Sequence, residues 1–440
     1  MVTVNMGTLY YVLDHVYGAL LHRTKLSPPF FSRGWGGKKL ELLEKMIKQL
    51  FPEVEGENWP PILVQPIWKT VWESKTACLR EGLFRTPCDE QLFSALPPES
   101  HTARVAFLAP RFVPPHKMAC VVHLADMCEL TFAWDICDVV SLGKAKLYIK
   151  CSLKFHEDEE IPPEILERHG FHSWKQHLCP LQKCEGKAVY IYDPRSPEGE
   201  LFDARGTGDH AFERRLRLGG PLLKENIATM VLESPFYGRR RPMLQRGAKL
   251  LCVSDLLLLG RATIEEARSL LYWLDSEAGY GKMGICGLSM GGVHAAMVGS
   301  LYPTPIATLP FLSPHSAVVA FCEGVLKHAT AWEALQEDIS IHKAAMTLEE
   351  VTERMRSVLS LTDVTRFPIP KNPDAVIFVA ATDDGYIPKH SVMELQKAWP
   401  GSEVRWVSGG HVSSFLLHNG SFRRAIVDGL NRLPWKEAPL

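Results

Sequence analysis

The chain has 440 residues, enough for one large α/β domain with added segments or for two domains. Its 49 Lys and Arg balance 50 Asp and Glu, and the formal net charge of −1 gives no global basic field to hold nucleic acid. The hydrophobic fraction of 46% and charged fraction of 22% are those of a globular protein, and no apolar run is long enough to span a membrane as a helix.

The first 21 residues are fairly apolar. Asn5, Asp14 and His15 interrupt them and no early Lys or Arg precedes them, which makes a poor secretory signal. From Arg23 to Lys39 five basic residues occur without an acid. That stretch permits organelle targeting or peripheral contact with a lipid surface, although an ordinary N-terminal helix and loop is the preferred reading. Eleven cysteines, several in apolar strand-like settings (Cys120, Cys252, Cys286), read as reduced thiols of an intracellular protein, in the cytoplasm or an organelle such as the mitochondrion.

Apolar runs of strand length follow at 104–109, 118–125, 227–233, 284–287, 306–312, 375–381 and 403–407. Helical patterns separate them at 213–225, 253–276, 290–301, 389–399 and 413–433. In 253–276 an apolar face (Leu257, Ala262, Ile264, Leu270, Leu271, Trp273, Leu274) alternates with Glu265, Glu266 and Arg268, and Gly279 and Gly281 stop it. This β-α alternation predicts an α/β fold with a mostly parallel central sheet covered by helices on both faces.

Two segments break the rhythm. Residues 126–205 carry an acidic cluster, two adjacent prolines and five cysteines with little periodic order. They read as an insertion, disordered or mis-spliced, with a true subdomain as the alternative; a zinc site from His172, His177, Cys179 and Cys184 has no compact spacing, so no metal is expected. Residues 316–361 read as helical, with Thr347 and Glu350 forming a helix start, and stand where a cap over a site would lie. The expected domains are therefore 1–125, the insertion 126–205, and 206–440 with its cap.

The chemistry enters at Gly287-Leu288-Ser289-Met290-Gly291. A short strand before it and a small-residue run after it are the setting of a nucleophile elbow, which holds a serine in a strained turn between glycines. A serine hydroxyl needs a base, usually a histidine oriented by a carboxylate. In this architecture the acid follows a late strand and the histidine comes last. Asp384, in the turn after strand 375–381, is the expected acid, with Asp383 as its substitute; His411, after Ser408-Gly409-Gly410, is the expected base. The oxyanion hole is expected from the N–H of Met290 and one from the glycine-rich loop Gly206-Thr207-Gly208, where Asp209 and His210 read mainly as structural. Tyr237-Gly238-Arg239-Arg240-Arg241 could meet an anionic group, but a solvated turn with one internal ion pair is preferred.

Taken together, Phe31-Ser32-Arg33-Gly34-Trp35-Gly36, Val121-Val122-His123-Leu124-Ala125, Gly206-Thr207-Gly208-Asp209-His210, Leu232-Glu233-Ser234-Pro235-Phe236-Tyr237-Gly238, the elbow, Tyr386-Ile387-Pro388, and Trp399-Pro400-Gly401-Ser402 through Gly409-Gly410-His411 resemble the abhydrolase domain-containing protein 18 family. The resemblance covers most of the chain outside 126–205. It implies an α/β-hydrolase fold and a serine esterase or lipase-like activity without a cofactor, on a lipid acyl ester such as that of a phospholipid. The chain departs from the family where 80 residues separate Ala125 from Gly206 and split the oxyanion loop from its strand. Two alternatives follow: a catalytically impaired hydrolase-fold protein that binds a lipid or a protein, and an acyltransferase. Oligomeric state has no signature here.

Overall fold

In the computed structural model the described residues are 7, 10–16, 28–51, 60–126, 212–338 and 346–435. They form a nine-stranded sheet in the order β1-β2-β3-β5-β4-β6-β7-β8-β9. Its first side is antiparallel: β1 (Ile67–Glu73), β2 (Ala77–Arg85) and β3 (Thr102–Pro110) run to β5 (Ile227–Leu232). From β5 onward every pairing is parallel, through β4 (Ala119–Leu124), β6 (Lys282–Leu288), β7 (Ala307–Phe311), β8 (Ile377–Ala381) and β9 (Glu403–Val407). All residues of β4, β5, β6, β7 and β8 are buried, which is why these strands are continuous apolar runs in sequence.

The helices, in chain order, are α1 (Lys38–Lys48), α2 (Glu90–Ala95), α3 (Glu213–Gly219), α4 (Val253–Ser276), α5 (Met290–Leu301), α6 (Trp332–Glu337), α7 (Leu348–Leu359), α8 (Lys389–Ala398), α9 (His411–Leu417) and α10 (Asn419–Asn431). Two apolar clusters form, one on each side of the sheet's alternating side chains: Val122 and Ile285 belong to one, Val121 and Cys286 to the other. Thr347 accepts from the Glu350 N–H and Glu350 caps it in return, as its spacing predicts.

Three expectations change. The pattern 413–433 is two helices, broken at His418, whose Nε2 meets the Ser408 carbonyl at 2.7 Å. The pattern 213–225 is α-helix only to Gly219 and continues as a 3-10 turn into β5, because Pro221 follows two glycines. The charged residues of α4 do not face solvent. Glu265, Glu266 and Arg268 are buried, and α1 and α2 pack against the helix.

Inside this layer Arg240 meets Glu266 at 2.5 Å, with side chains 1% and 0% exposed, and Thr86 donates to the same carboxylate at 2.8 Å. Of the three adjacent arginines, Arg240 thus carries the internal ion pair and Arg239 is exposed. Among the described residues, no helix is long and apolar enough to cross a membrane and no His, Cys, Asp and Glu group is arranged to hold a metal. The zinc-spaced residues His172, His177, Cys179 and Cys184 lie outside the described residues, as do the insertion's other features.

Candidate active site

Ser289 stands between β6 and α5 with φ 52° and ψ −115°. A side-chain-bearing residue occupies that region at a cost of about 1–3 kcal/mol, so the surrounding backbone must enforce it. It does so through the Ser289 N–H, which donates to the Phe311 carbonyl at 2.8 Å and ties the elbow to the end of β7. The flanking glycines are demanded by close approach. A Cβ on Gly291 would lie 2.7 Å from the Ala125 carbonyl oxygen, and one on Gly287 would overlap the backbone of Gly291. Met290 is the first residue of α5, so its N–H has no carbonyl within the helix to meet and is a free-standing donor beside the serine.

Asp384 and His411 come together from the ends of β8 and β9. Their contact, Nδ1 to Oδ2, is 2.7 Å, with side chains 3% and 5% exposed. The second oxygen of Asp384 accepts the N–H groups of Tyr386 and Ile387, both at 2.8 Å, which fixes the carboxylate's orientation. Asp383 instead accepts from the Thr382 hydroxyl at 2.6 Å, and its own N–H donates to the Gly409 carbonyl. Of the two neighbouring acids, the one that reaches the imidazole is Asp384. The Nδ1 proton is then held by the carboxylate and the Nε2 lone pair is left basic. Burial works to lower the pKa of His411, but Asp384, Asp14 and Asp126 outweigh it and hold the imidazole above its ordinary value.

Tyr386 links this pair to the serine. Its ring stacks on His411 with centroids 4.9 Å apart, and it lines the same cavity as Ser289. That cavity is a narrow apolar slot of about 80 Å³ running along α5 past Val293 and Met297 to Leu257, Phe321 and Phe367. Two buried polar side chains interrupt it, Arg261 and His294. His294 is 6% exposed, its Nδ1 meets no hydrogen-bond partner, and burial pulls its pKa down to about 4, so it is neutral. From the region 316–361, Ala317, Ala320, Phe321, Leu326 and Leu361 contribute to the slot.

The proposed oxyanion residues Gly206 and Thr207, with Asp209 and His210, lie outside the described residues. The described chain on either side of 127–211 converges beside the elbow. Asp126 Oδ2 and Arg214 Nη2 are 2.8 Å apart, and Arg214 also covers the ring of Phe415. Arg215, fully buried, donates to the carbonyls of His123 and Leu232 and so joins the ends of β4 and β5. Sequence reading passed over Arg214, Arg215, Tyr386 as a stacking partner, and Asp14; none of them has a local pattern that marks its role.

A family model described as alpha/beta hydrolase domain containing 18 matches residues 28–134, 203–344 and 339–432. The chain belongs to this family. The model leaves 135–202 unmatched, within the segment that the sequence marks as an insertion. The α/β-hydrolase fold follows from that membership and from the mostly parallel sheet. Among curated proteins, the chain is 29% identical over 220 residues to an uncharacterized protein of Mycobacterium tuberculosis (strain ATCC 25618 / H37Rv), covering 49% of this chain and 48% of that one. The chain thus spans about half the length of the curated relatives it matches. Among solved structures, an acetyl xylan esterase from Paenibacillus sp. R4 aligns with a TM-score of 0.43 at 10% identity, over 88% of this chain and 92% of that one. An acetyl xylan esterase from a Thermoanaerobacterium species aligns with the same TM-score of 0.43 at 9% identity, over 89% and 96%.

Proposed function

We propose that the chain is a serine hydrolase that cleaves a carboxylic ester, a lipid acyl ester such as that of a phospholipid, through an acyl-enzyme on Ser289. The observation that carries the reading is a serine in a strained elbow that shares an apolar slot with Tyr386, whose ring stacks on an imidazole held by a buried carboxylate. In this reading His411 Nε2 takes the hydroxyl proton as Oγ attacks the ester carbonyl, forming the new C–O bond. The oxyanion is held by the Met290 N–H and by a second donor taken from Gly206 or Thr207, each worth about 3–4 kcal/mol in the transition state. The Asp126–Arg214 pair supports that choice, because it brings the flanks of 127–211 beside the elbow. His411 then gives its proton to the leaving alcohol, and water repeats the sequence to release the acid. No step calls for a metal or an organic cofactor.

The slot supports an acyl group over a polar one, since Val293, Met297, Leu257 and Phe367 line its length. Narrowing it tests this. In Met297→Trp, kcat/KM for p-nitrophenyl octanoate falls at least ~10-fold relative to p-nitrophenyl acetate, because the longer chain loses its apolar seat. Equal loss on both esters would place the acyl chain elsewhere.

The pH profile is a second check. The active base is neutral His411, and its pKa is raised by the carboxylates around it. Activity is therefore present above that pKa and is lost as pH falls through it, with the acid limb of kcat/KM lying above the ordinary imidazole value of ~6.5. A limb at or below that value would contradict the role of the surrounding carboxylates.

A further inference from the structure

Residues 10–16 form a helical segment that exposes Tyr11, Val12, Leu13 and Val16 but buries one polar side chain, Asp14, which is 1% exposed. The partners of Asp14 are nearly four hundred residues away. Its Oδ2 accepts the N–H of Gly385 at 2.9 Å and that of His411 at 2.6 Å, and its Oδ1 accepts the N–H of Val412 at 3.1 Å. One carboxylate therefore joins the turn that carries Asp384 to the turn that carries His411. Two glycines make room for it. A Cβ on Gly410 would stand 2.5 Å from Asp14 Oδ2, and one on Gly385 would stand 2.9 Å from its Cβ.

We propose that Asp14 is a positioning residue for the acid–base pair, and that the helical segment 10–16 is a working part of the active site. The inference rests on the serine-hydrolase reading above for its catalytic consequence and on geometry alone for the clamp. The two turns belong to different strands, β8 and β9, and the imidazole must stay within hydrogen-bond reach of Asp384 while it moves a proton. Three backbone donors on one carboxylate fix their spacing, and the N–H groups of His411 and Val412, in the first turn of α9, lack helical acceptors of their own. The clamp also carries charge. Asp384 faces the imidazole at Nδ1, Asp14 accepts from its backbone N–H, Asp126 lies nearby just past β4 and is paired with Arg214, and Tyr386 stacks on the ring. Burial and the neighbouring Asp384 raise the pKa of Asp14 itself, while the hydrogen bonds it accepts oppose that rise.

Asp14→Asn keeps the shape but turns a donor toward one of the three backbone N–H groups. Two readouts on the full chain are expected. By hydrogen-exchange mass spectrometry, peptides covering 383–388 and 409–415 exchange at least ~10-fold faster than in the wild type, while peptides from α4 are unchanged. In ester hydrolysis kcat falls at least ~10-fold with KM within about threefold, and the acid limb moves to lower pH because a carboxylate beside His411 is gone. In Asp14→Ala, added formate restores part of kcat by occupying the vacated position; should Asp14→Asn fail to fold, this rescue and the Asp14→Ala exchange pattern decide the matter. Unchanged exchange in both peptides, or an acid limb that stays in place in an otherwise active variant, overturns the proposal. If exchange rises as stated but wild-type protein hydrolyses no ester, the clamp stands and the hydrolase reading fails.

Discussion

Ser289→Ala is expected to lower turnover of p-nitrophenyl acetate by at least ~10⁴-fold while leaving the thermal melt of the protein unchanged. The kinetic part follows from the site. In the proposed mechanism, loss of Oγ leaves His411 no atom to deprotonate and allows no acyl-enzyme, so what survives is the modest acceleration of binding and the oxyanion donors. The stability part follows from the backbone. Alanine at φ 52° bears the same Cβ and the same strain as serine, so the fold has no reason to move. Ser289→Gly separates the two effects. Glycine relieves the strain, and the inactive variant should be more stable than wild type by about 1–3 kcal/mol. A Ser289→Ala protein that keeps even a tenth of its activity would remove the serine from the mechanism. Steady-state kinetics beside a urea titration measures both halves.

The largest expected effect on stability lies away from the site. Arg240→Met leaves Glu266 buried without its partner, its side chain 0% exposed, with the Thr86 hydroxyl still donating to it. Breaking such a pair from one side costs about 3–5 kcal/mol, because the remaining charge keeps its desolvation penalty. The neighbouring Arg239→Ala should change stability by less than about 0.5 kcal/mol, since that side chain is exposed. The contrast between adjacent arginines in one urea series is the test. Equal effects would mean that Glu266 finds water or sheds its charge on losing Arg240.

These residues also mark what a one-dimensional reading can see. Helix α4 is legible to both ends because its apolar pattern runs unbroken for 24 residues and glycines follow it. Its buried charges are not legible, because Glu266 finds its partners outside the helix, in Arg240 and in Thr86, 180 residues away. Strands β1 and β2 escaped for a related reason. β1 is exposed along most of its length and is held by its antiparallel ladder to β2, so no apolar run announces it. At the site, the order of Ser289, Asp384 and His411 and the glycines around them are local patterns and could be read directly. Asp384 is preferred to Asp383 for its spacing to Pro388, and it is the carboxylate that turns toward the ring 27 residues later. Asp14 is beyond such reading altogether: three acceptor contacts across the whole chain leave no periodicity, only an acid in an otherwise apolar stretch.

The split oxyanion loop concerns the same question of distance. A long excursion between Asp126 and the start of α3 adds only a few kcal/mol of closure entropy, on the order of (3/2)RT ln n. The ion pair from Asp126 to Arg214 and the bonds from Arg215 to β4 and β5 hold the flanks together. In the proposed mechanism, catalytic competence therefore turns on the serine and on the donors around it.

Labelling with a fluorophosphonate, followed by mass spectrometry of the labelled peptide, tests that claim most directly. The reagent bonds only to a serine whose hydroxyl is activated by a base and whose oxyanion is held. The expected result is a single adduct on Ser289 that is absent from both Ser289→Ala and His411→Ala. An adduct that persists on another residue in Ser289→Ala, or wild-type protein that takes up no label under conditions that label a known serine esterase to completion, would contradict the account.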